Sequence, residues 1–387
     1  MQIKRTIVFL LIAGLVLLAA CRKPVATTNQ PANSNAASPT QDAPIGGTAM
    51  AGERFYFRGT IASNLKIEMT IVRDRDQLTG TYFYPRVGKN IDLKGTIDKE
   101  GNVDLRESDQ TGKETGMFKG KWKSSTDEPE AGLSEIEGKW SRPDGSKETN
   151  FQVTQQPIEF TATVRVVSKT IKETNKEKHH TIDAEYPLIE GDARFDKFNR
   201  EARNLVMKDV AAFKTAETQS EEETGVDQSD ETQNSTLDIG YDIRFATDDL
   251  ISVEFGEGQY SRGAAHPNSA TAVLNYDLKN GKKLSLADLF NPNSKYLNAI
   301  SAYCIKELKD RAKKNKDEML TDDTIQTGAS PRADNYRAVA ITRKGLWVTF
   351  DPYQVAPYAA GPQYVMVPYS ALKEITRPDG PIASLAK

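Results

Sequence analysis

The sequence predicts an α+β protein, with an N-terminal all-β, barrel-like meander followed by an α+β domain of one antiparallel sheet and two main helices. Short alternating or β-branched runs follow one another from Glu53 to about Gln155, with turn signals such as Asp98 to Asn102 and Pro143-Asp144-Gly145 between them. Two segments with helical apolar spacing, one after Asp192 and one after Ser294, interrupt paired strands in the remainder. Within the β-rich half, a glycine recurs two residues before a large apolar side chain, at Gly59, Gly80, Gly95, Gly120 and Gly138. Glycine inside a strand marks a bend or a close backbone approach, so these positions predict a strongly curved, closed or nearly closed meander.

The chain begins with a segment outside the fold. Lys4 and Arg5 precede an apolar run from Thr6 to Ala19 that is short for a permanent membrane helix. The run ends in Leu18-Ala19-Ala20-Cys21, which resembles a bacterial lipoprotein signal. That resemblance implies a signal peptide over residues 1–20, lipidation of Cys21 and anchoring to a membrane through the lipid. Arg22 follows the cysteine where an aspartate would argue for inner-membrane retention, so the expected address is the cell envelope, at the outer membrane facing the periplasm if the cell has two membranes. Residues 21–50, rich in Pro, Ala, Asn, Thr and Ser, read as a disordered tether.

Residues 51–156 form the all-β module, in which Trp122 and Trp140 are expected to pack in the core. Residues 157–387 form the second domain, divided into a companion segment (157–250) and a motif-bearing core (251–376). Ile158 to Ile171 reads as one long strand, returning through Lys178 to Tyr186. Asp192 caps a helix whose stripe is Phe195, Phe198, Ala202, Leu205, Val206, Val210 and Phe213. From Thr215 to Ile243 there are nine acidic residues and no basic one, first a solvated loop and then a hairpin strand. Ser294 caps the helix from Tyr296 to Arg311, and Ser370 to Ile375 closes the chain as a short helix. Cys304 falls on the apolar face of its helix and is expected to be a buried structural thiol.

Composition excludes several function classes. A net charge of −3 is too balanced for nucleic acid, and three histidines with two cysteines leave little for metal or thiol chemistry. No cofactor, metal site or catalytic residue is assigned. His179 and His180 are adjacent on a strand and point to opposite faces, which reads as an exposed hairpin tip.

Two loops between strands hold the candidate site. Tyr260-Ser261-Arg262-Gly263-Ala264-Ala265-His266-Pro267 is one, and Asp351-Pro352-Tyr353 to Tyr358-Ala359-Ala360-Gly361 is the other. Tyr260, Arg262, His266, Tyr353 and Tyr358 are the candidate ligand-binding residues. Together with Tyr276-Asp277-Leu278, Leu286-Ala287-Asp288-Leu289-Phe290 and Val367-Pro368-Tyr369, these motifs resemble the extracellular domain of the lysozyme-sensing membrane anti-sigma factors. The same domain precedes the catalytic part of certain peptidoglycan deacetylases, and the resemblance covers roughly the last 230 residues. It implies an envelope-facing binding role, with peptidoglycan fragments or a lysozyme-like protein as partner. Sigma-factor control and deacetylation are not carried over, because neither a cytoplasmic segment nor a deacetylase domain is read in the chain. Two other readings stay open: a cell-wall glycan hydrolase using His266 with a nearby carboxylate, and a purely structural envelope lipoprotein.

Overall fold

Eight strands open the part of the chain described by the computed structural model, which covers residues 52–126, 132–224 and 234–387. The expected signal segment, Cys21, the expected tether and residues 225–233 of the acidic stretch lie outside the described residues. The strands are β1 (Glu53–Ile61), β2 (Leu65–Asp74), β3 (Gln77–Phe83), β4 (Ile91–Ile97), β5 (Asn102–Ser108), β6 (Glu114–Ser124), β7 (Ser134–Ser141) and β8 (Thr149–Gln156). Each pairs antiparallel with the next, and β8 returns to β1 with Ile61 opposite Phe151, closing the barrel. Inward-facing Phe57, Ile67, Ile71, Leu78, Phe118 and Val153 fill its interior.

The five recurrent glycines account for the closure. A Cβ on Gly59, Gly80, Gly95, Gly120 or Gly138 would lie between 1.9 and 2.4 Å from a carbonyl oxygen of the neighbouring strand. Only a residue without Cβ permits that approach. Gly95→Ala is therefore expected to lower stability by about 1–3 kcal/mol through overpacking, read as a lower urea midpoint. The tryptophans serve the architecture as expected. Trp122 packs edge-on against Phe55 and Phe57, with ring centroids 5.0 and 5.3 Å apart. Trp140 Nε1 donates to the buried Glu107 at 3.0 Å, beside the Tyr82 hydroxyl, which donates to the same oxygen.

The second layer is a seven-stranded sheet. Its strands are β9 (Ile158–Glu159), β10 (Arg165–Asn175), β11 (His180–Glu190), β12 (Ser235–Thr247), β13 (Leu250–Tyr260), β14 (Asn268–Asp277) and β15 (Lys282–Lys283), with α1 (Asp196–Thr224) between β11 and β12. The order is β10-β11-β12-β13-β14-β15, with β9 against the far end of β12. Most pairs are antiparallel, but β12 runs parallel to both β11 and β9. The crossover through α1 makes the first parallel contact possible, since parallel neighbours need a long connection. The single strand expected from Ile158 to Ile171 is broken into β9 and β10, with Phe160 and Val164 buried in the turn between them. Helix α1 follows a short 3-10 turn capped by Asp192, whose carboxylate accepts from Arg194 N. It buries Phe198, Ala202, Val206, Val210 and Phe213 against one face of the sheet, and it runs on to Thr224, into the stretch read as a loop.

His180 is not an exposed tip. It is buried, its ring lies edge-on to Phe213, and its Nε2 is 3.1 Å from Glu173 Oε1. Only His180 lies on the strand, so the two histidines do not alternate along it as read, and α1 covers the face that His180 takes. His179 stays in the turn at φ +46°.

A charged seam joins the barrel to this sheet. Arg58 of β1 donates to Tyr241 O and to Glu185 Oε2, both at 2.7 Å, and its guanidinium lies 4.3 Å from the Tyr241 ring centre. Lys66 donates to the other Glu185 oxygen at 2.6 Å. Glu68, buried on β2, accepts from the Ser168 backbone N–H at 2.7 Å. Tyr56 of β1 belongs to the core of the second layer, so apolar packing crosses the seam as well.

The last third adds α2 (Tyr296–Asn315), α3 (Asp322–Gly328) and a small antiparallel sheet of β16 (Val339–Ile341), β17 (Gly345–Phe350) and β18 (Gln363–Pro368). Helix α2 buries Ile300, Cys304 and Leu308, and burial pushes the Cys304 thiol up to about 12, as suits a structural cysteine. Ser294 does not cap this helix, which starts without a side-chain cap. Helix α3, not anticipated, is capped by Thr321. The closing helix is instead a pair of 3-10 turns, Tyr369–Ala371 and Lys373–Ile375. The edge of β16 is tied to the larger sheet by side chains. Asn275 Nδ2 donates to Val339 O at 2.8 Å, and Ser252 Oγ accepts from Ile341 N at 2.9 Å.

Candidate functional site

Strand alternation gives β12–β14 two faces, and α1 covers the one bearing Ile239, Tyr241, Phe255 and Tyr276. The candidate loops stand at one end of the other face. The first leaves β13 after Tyr260, turns at Gly263 (φ +81°) and enters β14. The second leaves β17 at Phe350, passes Tyr353 at φ +70°, makes a 3-10 turn over Tyr358–Ala360 and exits through Gly361 at φ +66°. Asp351 Oδ2 accepts from Thr271 N at 3.2 Å, which pins the second loop to β14.

The loops meet through their aromatic side chains. The His266 ring stacks on Tyr358 with centroids 4.0 Å apart and planes 23° apart. His266 Nδ1 lies 2.9 Å from Pro267 O, and because a carbonyl can only accept, Nδ1 carries the proton. Nε2 then accepts from the Tyr353 hydroxyl at 3.1 Å. Both ring nitrogens are thus engaged, and neither partner is a carboxylate or a nucleophile poised for proton transfer. Tyr353 and Tyr358 also face each other at 5.6 Å. The result is a three-ring cluster at the surface, with Tyr353 63% exposed.

Two candidates stand apart from the cluster. Tyr260 is half-buried at the end of β13, opposite Thr236, and Arg262 is fixed through its backbone N–H to Ser235 Oγ at 2.9 Å. The small residues of the two loops do not bring the backbones together. Ala264, Ala265 and Ala359 are exposed, and a Cβ on Gly263 or Gly361 would meet nothing within 4 Å. Those glycines are needed for their left-handed φ. A cleft of about 880 Å³ lies elsewhere, between the barrel rim and the Thr342–Lys344 turn. Arg58, Arg244 and Arg343 line it, but each is held by an acidic partner, Glu185, Glu254 and Glu159 respectively. Among the described residues no group of histidine, cysteine or carboxylate side chains could hold a metal, and no helix is long and apolar enough to cross a membrane.

Residues missed by sequence reasoning lie along the same open face. They are Trp347 and Tyr364, stacked at 5.3 Å, and Gly240, Gly256 and Gly258. The Gly-x-Gly step at 256–258 was the available signal.

Residues 287–370 match the family described as "Protein of unknown function (DUF3298)", a stretch that spans α2 to β18 and includes Tyr353, Tyr358 and Tyr364 but not His266. The chain is also similar to the peptidoglycan-N-acetylmuramic acid deacetylase PdaC of Bacillus subtilis, 29% identical over 192 residues. That alignment takes in 50% of this chain and 38% of the relative, so the chain spans well under half of the relative's length. Two crystal structures of DUF3298 family proteins are similar as well. One, from Bacteroides fragilis, is 19% identical with a TM-score of 0.41, covering 59% of this chain and 98% of its own. The other, from Pseudomonas aeruginosa, is 18% identical with a TM-score of 0.42, covering 56% and 94%. The family match and the deacetylase alignment agree with the resemblance read from the motifs, over a shorter family match than the 230 residues it was expected to cover.

Proposed function

We propose that this is a lipid-anchored cell-envelope binding protein that recognises peptidoglycan fragments or a lysozyme-like protein through the His266–Tyr353–Tyr358 surface. The observation that carries the reading is Tyr353, a bulky residue held at φ +70° and yet 63% exposed. Left-handed backbone at such a residue costs on the order of 1–3 kcal/mol and gathers at ligand-contacting sites. Exposed tyrosines offer apolar area with a hydrogen-bonding end, which suits both a sugar ring and a protein surface. Similarity to a peptidoglycan deacetylase supports an envelope setting. The engaged nitrogens of His266 favour binding over hydrolysis.

The test is calorimetric titration of the full chain with solubilised peptidoglycan fragments and, separately, with lysozyme. Saturable binding of one of them is expected, and binding of neither removes the proposal. Anchoring has its own test. Cys21→Ser should move the protein from the membrane to the soluble fraction, and unchanged membrane attachment would refute lipidation at that residue.

A further inference from the structure

The open face of β12–β14 has an unusual floor. Alternation places Asp238, Gly240 and Asp242 of β12 on it, opposite Gly258, Gly256 and Glu254 of β13. A Cβ on Gly240 or Gly256 would meet nothing within 4 Å, and one on Gly258 only the Asp238 carbonyl at 4.0 Å. The barrel glycines are demanded by neighbouring backbone, and those of the loops by positive φ. Neither reason applies to these three. Glycine within a strand is destabilising, and where nothing among the described residues requires it, a bare backbone suits a ligand lying close on the sheet.

Aromatic side chains stand at both ends of this floor. Tyr260 and the His266 cluster close one end. At the other, Tyr364 of β18 lies flat on Trp347 of β17, with planes 17° apart, and is 37% exposed. Trp347 is 7% exposed, and its indole N–H has no hydrogen-bond partner among the described residues. A buried indole N–H normally finds one. From Tyr260 to Glu254 the floor runs about 20 Å at about 3.4 Å per residue, the reach of an extended polymer rather than of a small molecule.

Charge selects among polymers. Glu254 is met by Arg244 Nε at 2.9 Å and by the Thr349 hydroxyl at 2.9 Å. Asp242, 64% exposed, is only 3.7 Å from the same guanidinium, and Asp238 is exposed. Asp351 borders the floor through its bond to Thr271, which lies opposite Gly256. Burial, and then Glu254, raises the Tyr364 phenol; Arg244 opposes the shift, and Asp351 and Asp242 add to it. Four carboxylates, Asp238, Asp242, Glu254 and Asp351, stand around this platform against the guanidiniums of Arg244 and of Arg311, which donates to Tyr364 O at 2.8 Å, so a ligand bearing carboxylates is repelled and one bearing ammonium groups is attracted.

We infer that this face is a second subsite, for an oligosaccharide with unsubstituted amino groups, whose rings stack on Tyr364 and lie along Gly240, Gly256 and Gly258 while its ammonium groups meet Asp242 and Asp238. The inference rests on the binding role proposed above and extends it to a ligand class. The test titrates the full chain with a β-1,4-linked glucosamine tetramer and its fully N-acetylated counterpart, at mildly acidic pH where sugar amines are charged. The amino form is expected to bind at least tenfold tighter, with the preference shrinking as salt rises. Asp242→Asn should bring the two ligands to within about threefold, and Tyr364→Ala should weaken both by about tenfold. Thermal melts check that each variant is folded, and a variant that fails to fold is replaced by Asp238→Asn or Tyr364→Leu. Equal binding of the two tetramers, or an unchanged preference in Asp242→Asn, overturns the inference and leaves the proposed function standing. Binding of neither tetramer, with peptidoglycan fragments or lysozyme still bound, overturns it likewise. Failure of all of these ligands removes the proposed function itself.

Discussion

Arg58→Ala is expected to destabilise the protein by about 3 kcal/mol, visible as a lower urea midpoint. The guanidinium fills a place that no smaller cation can take, donating at once to a backbone carbonyl of the sheet and to Glu185 while stacking on Tyr241. Removing it leaves Glu185, a carboxylate only 6% exposed, with Lys66 as its remaining charged partner. Breaking a buried pair costs more than the pair itself contributes, because the surviving charge stays desolvated. Lys66 places the effect at the lower end of that range. Arg58→Lys should recover little, since an ammonium cannot make the two divergent hydrogen bonds together. A loss below about 0.5 kcal/mol would mean that the seam is a surface ion pair of ordinary worth.

Tyr353→Gly is expected to separate stability from function. Glycine takes φ +70° without strain, and Tyr353 is 63% exposed, so little packing is lost. What disappears is one exposed hydrogen bond to His266 Nε2 and the ring contacts with His266 and Tyr358 at the surface. Unfolding free energy should stay level or rise by up to about 1 kcal/mol. Binding, by contrast, should weaken at least tenfold, about 1.4 kcal/mol, because an exposed aromatic contact surface has been removed. Residues retained against stability are the signature of a site, and this pairing of effects would show it. A variant that melts earlier and binds as well as the parent would make Tyr353 a structural residue.

Features written in local spacing were legible before the structure. The barrel glycines are one case, because strand crowding acts on a single Cβ and so leaves a residue-level mark. The stripe of α1 and the burial of Cys304 are others, set by helical period alone. What escaped depends on residues far apart. The parallel pairing of β11 with β12 follows from the path of α1, and nothing in either strand announces it. Burial of His180 needed the knowledge that α1 lies across that face. Ser294 looked like a cap by type, but the chain enters α2 through Lys295 without using it. In the candidate site, the meeting of His266 with Tyr353 and Tyr358 could be posed as a question from two small-residue loops, 87 positions apart. The Tyr364 platform could not, and of the bare floor only the Gly-x-Gly step at 256–258 left a local mark, since the two are assembled from β12, β13, β17 and β18.

The most direct measurement of the central claim is a hydrogen-exchange footprint of the full chain, with and without saturating peptidoglycan fragments or lysozyme. Ligand should slow exchange in the loop from Ser261 to Asn268 and in that from Asp351 to Gly361, with the barrel strands unchanged. Saturable binding that leaves both loops unprotected, or that protects the barrel alone, would contradict a site built on His266, Tyr353 and Tyr358.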